Sequence, residues 1–95
     1  MSRRLIERRL SDVHRRLQRA RKELEIVDEQ FAALAEAADE AQMRSLVSET
    51  PLAEVEHRDA RRHADAMARS RVAVLESITD LERVQDQLLD KLDLR

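Results

Sequence analysis

Apolar residues recur along the first half of the chain in alternating steps of four and three. Ile6, Leu10, Val13, Leu17, Ala20, Leu24, Val27, Phe31, Leu34, Ala38 and Ala41 keep this rhythm across five heptads. A 3.5-residue repeat of that length predicts a helix with one apolar seam, the pattern of a coiled coil. With Leu10, Leu17, Leu24, Phe31 and Ala38 as a positions, Ile6, Val13, Ala20, Val27, Leu34 and Ala41 are d positions. The second half repeats the pattern. Ala64, Arg71, Ile78, Gln85 and Leu92 take the a positions, and Ala60, Met67, Val74, Leu81 and Leu88 take the d positions. Arg71 and Gln85 are the polar members of this seam. Isolated polar seam residues cost stability and specify register.

The two repeats are separated by "RSLVSETPLAEVE", residues 44–56, which holds Pro51, the one proline of a chain without glycine. Proline is well placed at the first helical position, where its missing N–H would have no partner, and Thr50 before it is a good N-cap. Glu54 and Glu56 then sit near the positive end of the helix dipole. The prediction is a helix over about 3–47, a bend at about 48–50 and a second helix over about 51–93. The first helix would be about 65 Å long. Folded at "SETP", a single antiparallel register pairs every layer: Leu10 with Leu88, Leu17 with Leu81, Leu24 with Val74, Phe31 with Met67 and Ala38 with Ala60. The alternate layers match as well, Ile6 with Leu92, Val13 with Gln85, Ala20 with Ile78, Val27 with Arg71 and Leu34 with Ala64, all centred on Glu49. The fold class is therefore all-α, an antiparallel two-helix coiled-coil hairpin forming a single domain.

Two helices bury only a seam, and small chains are marginal on that basis. Apolar residues off the seam of the second helix, Ala68, Val72, Leu75, Val84 and Leu89, offer a further surface. Residues 68, 72 and 75 share a face by spacing. Ala68, Val72, Leu75 and Leu89 are the candidate self-association residues, through which two copies would form a four-helix bundle. Scattered apolar surface residues are the plain alternative.

Composition narrows the function. Charged residues are 40% of the 95 and Phe31 is the one aromatic, which suits long helices and not a broad layered core. No cysteine is present, so disulfide, thiol and cysteine-metal chemistry are excluded. No run of 18 apolar residues exists to span a membrane, and "MSRRLIERRLSD" lacks the apolar core of a signal peptide, so a cytoplasmic protein is expected. Arginine outnumbers lysine 16 to 2, a bias that suits a GC-rich bacterial genome.

The net charge of −2 hides blocks. Residues 1–22 carry nine basic and two acidic groups; residues 23–56 carry one basic and ten acidic groups. Arg3, Arg4, Arg8, Arg9, Arg15, Arg16, Arg19, Arg21 and Lys22 could neutralise phosphates. No aromatic stacks on bases there, and the hairpin sets this segment beside Glu76, Asp80, Glu82, Asp86 and Asp90. Internal charge compensation is the favoured reading, with His14 facing Glu82, and a basic nucleic-acid-binding face the alternative. The apolar face of the first helix is taken by the seam, which leaves nothing for a membrane surface.

Candidate chemistry is sparse. His14, His57 and His63 form no HExxH motif and no i, i+4 pair, so no metal site is read from them. His57 falls in the seam opposite Ala41. Glu36, Asp39 and Glu40 lie on an outer helix face, without the burial that tunes a catalytic pKa. The serines have no base and orienting acid beside them, and a chain without glycine has no phosphate loop. An enzyme and a bound cofactor are not expected.

The bend remains. Leu46, Val47, Leu52 and Val55 either close the hairpin or form an apolar knob bordered by acids. Leu46, Val47, Glu49, Leu52, Glu54 and Val55 are the candidate partner site. "SETPLAEVEHRDARRHADAMARSRVAVLESITDLE" resembles the second helix of the N-terminal coiled coil of bacterial Gre transcript-cleavage factors, over about 35 residues. Ser48 and Glu49 match the "SE" of that family's "SENAEYHAA"-like start, Ala53 and Glu54 match "AE" after an insertion, and Ala60 matches a later alanine. In that family the acidic tip enters the RNA polymerase secondary channel. Its metal-holding tip aspartate has no counterpart, since Leu46 and Val47 precede Ser48, and its globular C-terminal domain has no counterpart in these 95 residues. The resemblance implies a transcription regulator that binds polymerase through the tip without cleaving transcripts. Secreted WXG hairpins of similar length carry Trp-x-Gly at the bend, and this chain has neither residue. The expected function is protein–protein interaction through a rigid helical hairpin.

Overall fold

The computed structural model of the protein describes residues 2–93. It contains two helices, α1 (Arg3–Ser48) and α2 (Pro51–Asp93), antiparallel in a hairpin. Ser2 caps α1: its hydroxyl accepts from the Leu5 N–H at 3.2 Å and its carbonyl from the Ile6 N–H at 3.1 Å. Thr50 caps α2 as its sequence position predicts. Its Oγ1 accepts from the Ala53 N–H at 3.1 Å, satisfying one of the orphan donors of the first turn. Glu54 adds a negative charge in that turn. α1 runs one residue further than predicted, so the bend is Glu49 and Thr50 alone. So short a reversal needs one residue in the left-handed region. Glu49 supplies it with φ of 49°, and its N–H still reaches the Ser45 carbonyl at 3.0 Å.

Packing divides the hairpin into a terminal unit, Met1–Leu24 with Ala73–Arg95, and a bend unit, Glu25–Val72. In the terminal unit Ile6, Val13, Leu17 and Ala20 of α1 are buried, with Val74, Ile78 and Leu88 of α2. Leu10, Leu24, Leu81, Gln85 and Leu92 are half-buried between them. In the bend unit Val27, Ala38, Ala41, Ala53 and Ala64 are buried, and Phe31, Leu34, Ala60, Met67 and Arg71 are half-buried. Each predicted seam position is thus covered. The seam also runs further toward the bend than its large residues suggest, through half-buried Ser45 and His57 and buried Ala53. Alanine dominates the buried set of the bend unit, so little side-chain volume separates the two backbones there.

Among the described residues three ion pairs cross between the helices: Arg21 to Glu82 at 3.6 Å, Arg61 to Asp39 at 3.8 Å, and Arg71 to Asp28. The midpoint of each pair lies between Glu49 and Leu52, close to the register centre that the layer matching predicts. Arg71 shows how a cation is tolerated in a seam. Its stem takes the a position while its Nε donates to the Asp28 carboxylate on α1, beside Val27.

Candidate docking site at the bend

The residues that close the hairpin are small. Ala41 and Ala53 are 2% and 8% exposed and form the last tightly packed positions of the bend unit. The larger apolar residues around them fall at outer heptad positions: Met43 and Val55 at f, Leu46 at b, Val47 and Leu52 at c. A residue one or two steps past a seam position is rotated by about 100° or 200° around the helix, away from the partner. The structure agrees. Met43 is 62% exposed, Leu46 65%, Val47 81%, Leu52 68% and Val55 43%. The reading in which Leu46, Val47, Leu52 and Val55 close the bend is therefore corrected. None is buried, because Ala41, Ser45, Ala53 and His57 already occupy the seam.

Glu49, Glu54 and Glu56 are exposed in the same unit. No described residue pairs with them within ion-pair distance. The bend thus presents apolar side chains among free carboxylates. Met43 belongs with them and was missed by sequence reasoning; its f position, one heptad before the bend, was the available signal. Asp28 was missed as well. The signal was its place immediately after Val27, whose layer partner is Arg71.

His57 lies in the seam where predicted, with its Nε2 buried and without a hydrogen-bond partner. No group of three or more metal-binding side chains occurs among the described residues. No described helix is long and apolar enough to cross a membrane.

The candidate self-association residues divide between the units. In the bend unit Ala68 is half-buried and Val72 exposed; in the terminal unit Leu75 is half-buried and Leu89 exposed. Half-burial of Ala68 and Leu75 at e positions means that the hairpin itself already uses part of each side chain.

The basic run departs from expectation. Among the described residues, Arg21 alone of its nine cations pairs across the hairpin, and it takes the Glu82 carboxylate assigned above to His14. Arg3 pairs with Glu7, and Arg15 and Arg16 with Asp12, all within α1. Arg4, Arg8, Arg9, Arg19 and Lys22 have no ion pair among the described residues. Geometry explains this: Glu76, Asp80, Asp86 and Asp90 occupy outer positions of α2, and Arg4, Arg8, Arg19 and Lys22 occupy outer positions of α1. These particular opposite charges in the terminal unit face apart. A shallow groove on α1 is lined by Arg15, Gln18, Arg19 and Lys22.

Fold and site together define a class, antiparallel helical hairpins with an apolar, acid-bordered bend. No family model, curated protein or solved structure matches the chain.

Proposed function

We propose that the protein is a non-enzymatic interaction module of the bacterial cytoplasm, a helical hairpin that docks its bend on a protein partner. One observation carries this reading. Among the described residues, five of nine exposed large apolar side chains, Met43, Leu46, Val47, Leu52 and Val55, fall in the 13 residues around the bend. Single exposed apolar residues are ordinary, whereas a cluster bordered by polar groups marks a contact surface. The hairpin closes without burying them. The partner surface they suit is an apolar recess with cations at its rim, placed to meet Glu49, Glu54 and Glu56. RNA polymerase is the partner implied by the resemblance to Gre-type coiled coils. The matched Glu49 and Glu54 support that second reading, since both lie at the bend and both are exposed.

Capture from a lysate of the source organism tests the proposal. The triple variant Leu46→Ser, Val47→Ser, Leu52→Ser is compared with wild type at equal helicity. A partner held by wild type and lost by the variant is the expected result, and its identity decides the polymerase reading. Equal capture by both proteins would contradict bend docking.

A further inference from the structure

In the terminal unit the outer face of α1 carries hydrogen-bond donors in an unbroken line. Its b and f positions hold Arg4, Arg8, Ser11, Arg15, Gln18 and Lys22, spaced alternately by four and three. Residues so spaced are neighbours on one helix face, about 5–6 Å apart. All six are exposed, and each side chain bears an N–H or O–H donor. The c positions beside them hold Leu5, Asp12 and exposed Arg19. Arg4, Arg8, Arg19 and Lys22 have no ion-pair partner among the described residues. Asp12 is the one acid of these nine outer positions, and it is already held by Arg16 at 3.2 Å and Arg15 at 3.7 Å. The groove lined by Arg15, Gln18, Arg19 and Lys22 gathers three cations and an amide around one opening. The acids on the outer positions of α2 in this unit, Glu76, Asp80, Asp86 and Asp90, lie on the far side of the hairpin. Two helix diameters, about 20 Å, separate the two faces, more than two Debye lengths at physiological salt.

We propose that this stripe of α1 binds the phosphate backbone of duplex DNA without reading its sequence. Arg4, Arg8, Arg15, Arg19 and Lys22 neutralise phosphates, and Ser11 and Gln18 donate to phosphate oxygens between them. The stripe is about 27 Å long, the length of about eight base pairs. Glu25 and Glu29, at the next b and f positions, reverse the sign and end the footprint at Lys22. The uncompensated positive charge selects a polyanion, and the remaining residues of the face select which one. Single strands are held by stacking on aromatic side chains, and Phe31, the one aromatic of the chain, lies outside the stripe. An anionic membrane requires an apolar helix face, and Leu5 is the one large apolar residue among the nine positions. The major groove of duplex RNA is too deep and narrow for side chains to read, whereas that of B-DNA admits an α-helix between its phosphate walls. The stripe lies wholly in the terminal unit, so DNA binding does not depend on the function proposed for the bend.

Fluorescence anisotropy of a labelled DNA duplex, titrated with the full chain across a salt series, tests this. Wild type is expected to bind in about 50 mM salt, with a log–log salt slope of about −4.5, from five cations at about 0.9 each. Arg19→Gln with Lys22→Gln removes two unpaired cations of the groove. This variant should flatten the slope by about two and lower affinity at least about tenfold in about 50 mM salt. Arg58→Gln with Arg69→Gln removes the same charge from exposed positions of α2 in the bend unit and should change neither quantity. All four positions are exposed, and circular dichroism establishes that both variants remain helical. Absence of binding in about 20 mM salt would overturn the proposal, since screening is weakest there. Equal losses in the two variants would also overturn it, because net charge and not the stripe would then govern binding. So would tighter binding to single-stranded DNA, to duplex RNA or to phosphatidylserine vesicles at equal phosphate concentration.

Discussion

Glu49 occupies a conformation that its residue type disfavours. Its φ of 49° lies in the left-handed region, where a side chain with a Cβ crowds the following carbonyl. Glycine is the usual residue just past a helix end in this conformation, and asparagine the common substitute. A glutamate there lacks even the short side chain that makes asparagine tolerable. The Glu49→Gly variant is therefore expected to be more stable by about 1 kcal/mol, less whatever glycine adds to the entropy of the unfolded chain. Urea denaturation measures the net effect, and a lowered midpoint would show that the entropy glycine adds to the unfolded chain outweighs the strain it relieves. If bend docking uses the Glu49 carboxylate, the same substitution should weaken capture of the partner while strengthening the fold.

At the scale of the elements, both helices were legible from the spacing of their apolar residues. Thr50 and Pro51 located the start of α2, and the layer matching located the register. The bend was harder to read. Large apolar residues beside a turn look like core by composition, and the closing role falls instead to Ala41, Ser45 and Ala53. Small residues carry little hydropathy signal. Only by extending the heptad count past Ala41 and back past Ala60 does their position emerge, and the same count places Leu46, Val47, Leu52 and Val55 outside. The ion pairs were least legible, because exposed arginines reach several carboxylates and the choice depends on side-chain geometry. Arg71 gives the sharpest expectation at this scale. Its pair with Asp28 is part-exposed, with 41% and 46% of the two side chains accessible, so the pair itself contributes little. Arg71→Leu should raise the thermal midpoint by filling the seam opposite Val27. It should also weaken register specificity, seen as broader amide resonances in the bend unit. A lowered midpoint would show that the ion pair stabilises more than an apolar layer does.

Across the whole molecule, fold and exposed surface divide between seam and outer heptad positions. The seam holds the hairpin together with alanine and a modest set of larger aliphatic residues. The outer positions carry what the fold does not use, above all the apolar group at the bend. Five large apolar side chains, Met43, Leu46, Val47, Leu52 and Val55, are exposed around a two-residue turn. These side chains are surplus to the fold, and the thermal denaturation of the triple variant Leu46→Ser, Val47→Ser, Leu52→Ser tests this most directly. Exposed positions away from special features change stability by about 0.5 kcal/mol or less each. The variant is therefore expected to melt within a few degrees of wild type, with the same cooperativity. A loss of several kcal/mol, the size expected for truncating buried aliphatic residues, would contradict the account and return Leu46, Val47 and Leu52 to the core.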